Sequence, residues 1–142
     1  MSPTYKGACL CGDVQLAISG QADAVFTCFC EHCNKGAGST HQVLAQFPTG
    51  AVEIIAKTDS ISSYTLTDTV SGASKEKVFC RKCGCPLWSV PEPARGVIIF
   101  IRTSILENGL DLKPVFEMFV KNRPSWVLPT DGASQWQEMI GG

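Results

Sequence analysis

The sequence predicts a mainly β fold of short antiparallel strands with little helix. The 142-residue chain contains 13 glycines and 8 prolines, and turn-forming residues recur roughly every ten positions along it. Between the turns lie short runs of apolar or alternating residues, which is the pattern of strands with one or two buried faces. Strands spaced in this way are typical of a compact antiparallel sheet.

Five segments carry strand signals of this kind. Each either alternates between apolar and polar side chains or forms a short apolar run bounded by turn residues. In chain order they are residues 13–18, 41–47, 52–56, 60–66 and 97–101. The last of them, VIIFI, is apolar throughout and is therefore predicted to be a buried strand.

Two connecting segments are also predicted from local residues. Residues 103–107 can form one short helical turn, because a Ser or Thr can cap its start and Asn108 with Gly109 would end it. Residues 67–77 (TDTVSGASKEK) are polar and are predicted to form an exposed loop between strands. The sequence shows no internal repeat and no low-complexity tract, so neither a solenoid nor a disordered linker is indicated.

The bulk composition predicts one globular domain, which we expect to span residues 1–142. Hydrophobic residues make up 44% of the chain and charged residues 18%. A net charge of -1 without any basic run argues against a nucleic-acid partner. The sequence carries neither a signal-peptide pattern nor an apolar stretch of about 18 residues, so we expect a cytoplasmic protein with no membrane span.

Eight cysteines are the strongest functional signal in the sequence. In a reducing compartment, cysteines at such spacings bind metal more often than they form disulfides. Along the chain they form three groups, which are Cys9 with Cys11, then Cys28, Cys30 and Cys33, and finally Cys80, Cys83 and Cys85. The grouping predicts a metal-binding protein.

Four of these cysteines have the spacing of a structural zinc site. Cys80 and Cys83 form a Cys-x-x-Cys turn followed by Gly84, and such a turn can point two thiolates at one metal ion. Cys9 and Cys11 stand two positions apart, so in an extended strand they project to the same face. The four thiolates together would close a tetrahedron and tie the N-terminal strand to the middle of the chain.

The group Cys28, Cys30 and Cys33 offers only three sulfurs. Three protein ligands with an open fourth position are the pattern of a catalytic zinc, at which water or substrate completes the tetrahedron. A thiol is a natural occupant of that position, because a metal-coordinated thiol is deprotonated near neutral pH. The spacing therefore predicts a site at which a thiol substrate reacts.

Two alternatives would instead make this second group a closed structural site. His32 or His41 could supply a fourth ligand, although His32 directly precedes Cys33 and points awkwardly for sharing its metal. Cys85 could also close the site. Otherwise Cys85 is expected to be a small buried apolar residue, which is the commoner role of a free cysteine.

In this arrangement the chain resembles the glutathione-dependent formaldehyde-activating enzyme family, whose domain is shared with centromere protein V. The resemblance covers nearly the whole chain, with a core at about residues 5–128. It rests on four segments taken together, which are GACLCGDVQLAISG, CFCEHCNKGAGS, KVFCRKCGCPLW and VKNRPSWVLP.

The resemblance implies a β-tent-like fold with two zinc ions. The matches to Cys9, Cys11, Cys80 and Cys83 would hold a structural zinc, and those to Cys28, Cys30 and Cys33 a catalytic one. It also implies carbon-sulfur lyase activity on a glutathione adduct, as when glutathione condenses with formaldehyde. Glutathione is then the expected co-substrate, and the fold by itself does not identify the electrophilic carbon.

The sequence departs from the family pattern beside the predicted ligands, at Phe29, Asn34 and Cys85. These departures leave both ligand sets intact but alter residues that can shape the pocket. Trp126 is the tryptophan expected nearest to that pocket. Lys35 could meet a carboxylate of a peptide-like thiol, or be exposed.

Arg123 carries the same ambiguity as Lys35, and Glu31 either takes a proton from an incoming thiol or faces solvent. Three functional classes remain open at this point. The leading one is a zinc enzyme that joins a small-molecule thiol to an electrophile. The others are a non-catalytic zinc-dependent module that binds a thiol or a protein, and an interaction domain of the centromere-protein kind.

Overall fold

The computed structural model describes residues 3–141, and it confirms the mainly β, β-tent-like fold with little helix. Within that range one α-helix is present, α1 (Glu31–Ala37), together with short 3₁₀ turns. The strands are β1 (Tyr5–Ala8), β2 (Val14–Ile18), β3 (Ala24–Cys28), β4 (Gln42–Pro48), β5 (Val52–Ala56), β6 (Ile61–Leu66), β7 (Lys75–Cys80), β8 (Pro86–Pro91), β9 (Ile98–Arg102), β10 (Phe116–Met118) and β11 (Ser134–Gln135).

The strands form two sheets. A three-stranded sheet has the order β1-β2-β5, and an eight-stranded sheet has the order β11-β10-β3-β4-β9-β8-β7-β6. Neighbouring strands are antiparallel except around β10, which pairs parallel with both β3 and β11. The parallel pairs arise because the C-terminal part of the chain returns to the edge of the sheet beside β3.

The strand predictions agree with the observed elements to within one residue at either end, and β5 coincides with its prediction. The predicted helical turn is a 3₁₀ helix over Thr103–Ile105. The predicted loop over residues 67–77 is too long, because its last three residues already belong to β7. Their polar side chains are only half-buried, which a sequence pattern cannot distinguish from a loop.

The large sheet separates two apolar clusters. In β4, Leu44 packs into one cluster, whereas Ala45 and Phe47 pack into the other, since successive residues of a strand face opposite sides. The cluster that contains Ala45 and Phe47 fills the space between the two sheets and includes Cys9 and Cys80. The cluster that contains Leu44 lies on the opposite face, around α1 and β10, and includes two other cysteines, Cys28 and Cys33.

The large sheet thus separates Cys9 and Cys80, on one side, from Cys28 and Cys33, on the other. Nowhere in residues 3–141 is there a helix long and apolar enough to cross a membrane.

Candidate metal centres and the adjoining cavity

Cys9, Cys11, Cys80 and Cys83, hereafter the four-cysteine cluster, come together on the side of the small sheet. Their sulfurs all lie within 4.8 Å of one another. The Sγ atom of Cys11 is 3.6 Å from that of Cys9 and 3.6 Å from that of Cys80. In a tetrahedral site with zinc-sulfur bonds of about 2.3 Å, neighbouring sulfurs stand about 3.8 Å apart. The cluster therefore has the donor set and the spacing that suit one zinc ion.

The turn between β7 and β8 positions two of these sulfurs, those of Cys80 and Cys83. The backbone N–H of Cys83 donates to the Sγ of Cys80 at 3.5 Å. A hydrogen bond from the backbone N–H of Cys85 lowers the pKa of Cys83 from 9.0 to about 6. Gly84 makes this possible, because its φ of +74° lies in the left-handed region that side chains disfavour.

Cys28, Cys30 and Cys33, hereafter the three-cysteine cluster, come together on the other face. Cys28 ends β3, Cys30 is the N-cap of α1, and Cys33 lies within the first turn of that helix. The three sulfurs lie within 4.8 Å of one another. The Cys30 sulfur accepts a hydrogen bond from the backbone N–H of Cys33 at 3.4 Å. One strand end and one helix start thus hold all three sulfurs.

The three thiols differ in pKa, because a thiolate at one position disfavours a second thiolate beside it. Hydrogen bonds from Cys28 and Cys33 lower the pKa of Cys30 to about 2, and the positive charge of Lys75 acts in the same direction. Hydrogen bonding to Cys30 and Cys33 raises the pKa of Cys28. The protein alone therefore favours one thiolate in this cluster, and a cation would be needed to hold three.

No other His, Cys, Asp or Glu among residues 3–141 joins the three-cysteine cluster within that range of distances. The Nε2 atom of His32 lies 3.0 Å from Asp68 Oδ1, and His41 Nδ1 lies 2.8 Å from Thr40 Oγ1. Cys85 is half-buried beside the four-cysteine cluster, where burial and the neighbouring sulfurs raise its pKa. The three candidates for a fourth ligand thus stand apart from the cluster.

Two polar side chains that the sequence analysis missed lie against the three-cysteine cluster. The Nε2 atom of Gln42 donates to the Sγ of Cys33 at 3.0 Å. Arg102 is only 4% exposed, and its Nε and Nη1 atoms find no hydrogen-bond partner within residues 3–141. Burial lowers the pKa of Arg102, while the charge of the cluster opposes that shift. Gln42 begins β4 and Arg102 ends β9, and a polar residue at the end of a largely apolar strand is the only sign of either residue in the sequence.

A cavity of about 450 Å³ opens beside the three-cysteine cluster. All three cysteines line it. Its apolar wall is formed mainly by Phe26, Leu44, Phe100, Met118 and Phe119. Its charged or polar lining includes Glu31, His32, Asp68, Lys75 and Lys121. The arrangement places sulfur ligands, apolar surface and a few ionisable groups around one space.

Comparison with known proteins agrees with this arrangement. The family model described as glutathione-dependent formaldehyde-activating enzyme matches residues 4–122. The chain belongs to the glutathione-dependent formaldehyde-activating enzyme family. No curated protein matched it significantly.

A solved relative supports the fold of this family member. The crystal structure of a Rhodobacter sphaeroides protein, a structural genomics target, is similar with a TM-score of 0.56. The match covers 92% of this chain and 98% of that chain at 16% sequence identity. At so low an identity the similarity supports the fold alone.

In this member of the glutathione-dependent formaldehyde-activating enzyme family, Trp126, Phe29 and Lys35 lie outside the cavity lining. For Lys35, exposure was one of the two alternatives expected from sequence. Trp126 is 74% exposed and does not line the cavity. Phe29 is 1% exposed and does not line it either, and its ring lies 5.6 Å from the guanidinium carbon of Arg123. Lys35 also lies outside the lining, paired with Glu31 at 2.7 Å. Proximity in sequence to the cysteines therefore does not by itself place a residue at the cavity, since Glu31 and His32 line it whereas Phe29 and Lys35 do not.

Proposed function

We propose that the chain is a zinc-dependent carbon-sulfur lyase, which forms or cleaves a bond between glutathione and an electrophilic carbon such as that of an aldehyde. The observation that supports this most is the three-cysteine cluster, whose sulfurs border a cavity and have no fourth ligand from residues 3–141. Three protein ligands and a position open to substrate are typical of catalytic zinc. The dependence on glutathione comes from the family.

In this proposal each cysteine cluster holds one zinc ion. Cys28, Cys30 and Cys33 hold the catalytic ion, and the four-cysteine cluster holds a structural one. Sulfur-only donor sets favour zinc over magnesium or calcium. When bound, the catalytic zinc keeps a coordinated thiol as a thiolate at neutral pH.

Lys75 is the residue that suits a carboxylate of glutathione. It lines the cavity and makes no ion pair with any residue of 3–141. The other charged lining residues are already engaged: Glu31 with Lys35, Asp68 with His32, and Lys121 with Glu138. An unpaired ammonium beside the sulfurs would orient the tripeptide and raise the local concentration of an anionic thiol.

His32 is the residue to which we assign proton exchange. Glutathione loses its thiol proton when it enters as a thiolate, and the carbonyl oxygen gains a proton when the adduct forms. The imidazole lines the cavity, and its Nε2 lies against Asp68. A histidine can accept and return a proton in this way. Glu31, the alternative considered from sequence, holds Lys35 instead.

The free thiols of this chain require a reducing environment, because both clusters lose their ligands on oxidation. We therefore propose that the enzyme acts in the cytoplasm.

X-ray absorption of the zinc-loaded protein tests the proposal. One zinc with four sulfurs and one with three give an average of about 3.5 sulfurs per zinc, which glutathione should raise to about 4. Glutathione whose cysteine is replaced by 2-aminobutyrate is the control, since it lacks the thiol and should change nothing. An average of four sulfurs before addition, or no response to glutathione, would rule out the catalytic site. Turnover of a thiol-aldehyde adduct then separates an enzyme from a module that only binds thiols.

A further inference from the structure

The wall of the cavity beside the three-cysteine cluster is built from large apolar side chains. Phe26 pairs with Leu44 across β3 and β4, and Cys28 is the next residue of β3 on the same face. The Phe26 ring meets the Phe100 ring edge-on at 5.6 Å and stacks on Phe116 at 4.9 Å. The apolar wall therefore continues directly to a cysteine that borders the reaction space.

Phe119 adds to this wall in an unusual backbone conformation. Its φ is +57°, in the left-handed region that a bulky side chain rarely adopts. Its side chain lines the cavity and is 8% exposed, and its backbone N–H donates to the Glu138 carbonyl at 3.0 Å. Strained backbone of this kind persists where the surrounding structure requires the side chain in that place.

The size of the cavity exceeds what formaldehyde needs. Its volume of about 450 Å³ is in the range of pockets that hold drug-sized molecules. Formaldehyde is scarcely larger than a water molecule, which takes up about 30 Å³ in the liquid. With formaldehyde as the reactant, most of the apolar wall would remain against water.

Glutathione does not account for the apolar wall either. The tripeptide carries two carboxylates, an ammonium group and two peptide bonds, which require polar partners. The charged lining comes from the start of α1, from Asp68 in the segment between β6 and β7, from Lys75 and from Lys121. The five residues of the apolar wall come instead from β3, β4, β9 and β10, and from Phe119 directly after β10. The wall is therefore available to the second reactant.

We infer that the electrophile is an aldehyde carrying an aromatic or comparably large apolar group, in place of formaldehyde. The inference rests on the proposed function. In the reaction the glutathione sulfur donates an electron pair to the carbonyl carbon, and the carbonyl π pair moves to the oxygen. The oxygen then takes up the proton that the thiol lost. The product is a hemithioacetal, and the reverse steps cleave it without any oxidant or reductant.

Two unreactive thioethers test the inference on the zinc-loaded protein by titration calorimetry. S-benzylglutathione matches the benzaldehyde adduct without its hydroxyl, and S-methylglutathione matches the formaldehyde adduct in the same way. Burial of the ring should make S-benzylglutathione bind on the order of 10- to 100-fold more tightly. Equal affinities would overturn the inference.

The variant Phe100→Ala removes part of the wall without touching a cysteine. It should reduce the preference for the benzyl compound about fivefold or more, with little change for the methyl compound. Phe100→Leu keeps most of the side-chain volume, so its preference for the benzyl compound should lie between those of wild type and Phe100→Ala. It also provides a test if the alanine variant does not fold. Trp126→Ala is the matched control, because it removes an aromatic ring outside the cavity and should retain the full preference.

The failure of this inference and the failure of the proposed function are distinguishable. Equal binding of both thioethers, together with a rise in the zinc-sulfur number on adding glutathione, would overturn the inference and leave the proposed function standing. No binding of either thioether and no response of the zinc to glutathione would overturn both. If both Phe100→Ala and Phe100→Leu keep the full preference for the benzyl compound, the apolar wall does not bind its ring, and the inference is overturned.

Discussion

Arg102 has a buried guanidinium whose charge is explained by the cysteines that face it. It ends β9 and pairs with Leu44, so its side chain lies on the face that carries the three-cysteine cluster. A buried cation without a counter-charge is strongly unfavourable. Three thiolates and one zinc ion leave one negative charge, which a guanidinium can offset. We therefore interpret Arg102 as the residue that stabilises the charged form of the cluster.

Arg102→Met should weaken zinc binding at the three-cysteine cluster by about 10- to 100-fold, the range for residues that support metal ligands. Competition with a chromogenic chelator measures the change directly. Arg102→Lys keeps a positive charge and should recover part of the affinity. Arg95→Met is the control, because Arg95 is half-exposed and, within residues 3–141, pairs with Glu76 and Glu92. Equal zinc retention in all four proteins would remove this role from Arg102.

Glu117 is another buried charged group, and it holds the C-terminal segment onto β10. Its carboxylate accepts hydrogen bonds from Thr130 and Gln135, and Arg123 lies 3.3 Å away. Burial alone would raise the pKa of Glu117, but the bonds from Gln135 and Thr130 together with the charge of Arg123 lower it below 4.5. The folded protein thus stabilises the ionised form.

Glu117→Gln should therefore destabilise the protein by about 2 kcal/mol at pH 7. Since the folded-state pKa is lowered, this stabilisation is complete above the unfolded value and is lost as the pH falls through the folded one. The difference between wild type and variant in urea unfolding should shrink below about pH 4.5. Comparing the two proteins cancels zinc loss in acid, which both share. A pH-independent difference would contradict the assignment.

The helix α1 is the element that presents the three-cysteine cluster. Cys30 caps its start, and Gly38 ends it with a φ of +65°. A serine at position 30 can accept the same hydrogen bond from the helix, since serine is a preferred N-cap residue. Cys30→Ser should therefore keep the fold, with a Tm within about 3 °C of wild type, and lose activity and one zinc. A large loss of Tm would mean that this cluster is structural.

The four-cysteine cluster joins elements that are distant in sequence. Cys11 and Cys80 are 69 residues apart, and the cluster ties the segment after β1 to the end of β7. Cys9→Ser or Cys83→Ser should lower the Tm by about 10 °C or more and reduce soluble yield, because metal binding there contributes to folding. Thermal unfolding of these variants and of Cys30→Ser measures the loss of Tm in each class. Similar losses in both classes would contradict the division into structural and catalytic sites.

Local pattern predicted those elements whose own residues carry the signal. The alternation in β2 and β6 and the apolar run in β9 were sufficient. The helix α1 was missed, because seven residues containing Asn34 and Gly36 give little helical propensity, and a cysteine is an uncommon cap. The three residues of β10 are too few for a periodic signal, and their strand character depends on pairing with β3.

The same distinction applies to the candidate site. Spacing alone grouped the seven cysteines into the two sets that the structure brings together. Gln42, Arg102 and the apolar wall could not be found in this way, because β4, β9 and β10 approach the cysteines only through long-range pairing. Trp126 was misplaced for the converse reason, since its position depends on a C-terminal segment without periodic pattern.

At the scale of the whole molecule, the large sheet keeps the two cysteine clusters apart. The four-cysteine cluster adjoins the apolar layer between the sheets, and the three-cysteine cluster adjoins the layer on the other face. A structural change at one cluster can affect the other only by shifting the packed strands β4 and β9 that lie between them. Metal loss at the two clusters should therefore occur in separate steps.

The purified protein should contain two zinc ions per chain, of which a chelator removes one first. The three-cysteine cluster borders a cavity and leaves a position open to solvent or chelator, whereas four thiolates close the other site. Loss of the first ion should leave the far-ultraviolet circular dichroism unchanged, and loss of the second should unfold the chain.

Seven thiolates add seven negative charges and two zinc ions return four positive ones, so the formal charge of -1 becomes about -4. Isoelectric focusing of the native protein should give a value below the 6.1 expected from sequence. One zinc per chain, or simultaneous release of both ions with unfolding, would show that the clusters do not have these separate roles.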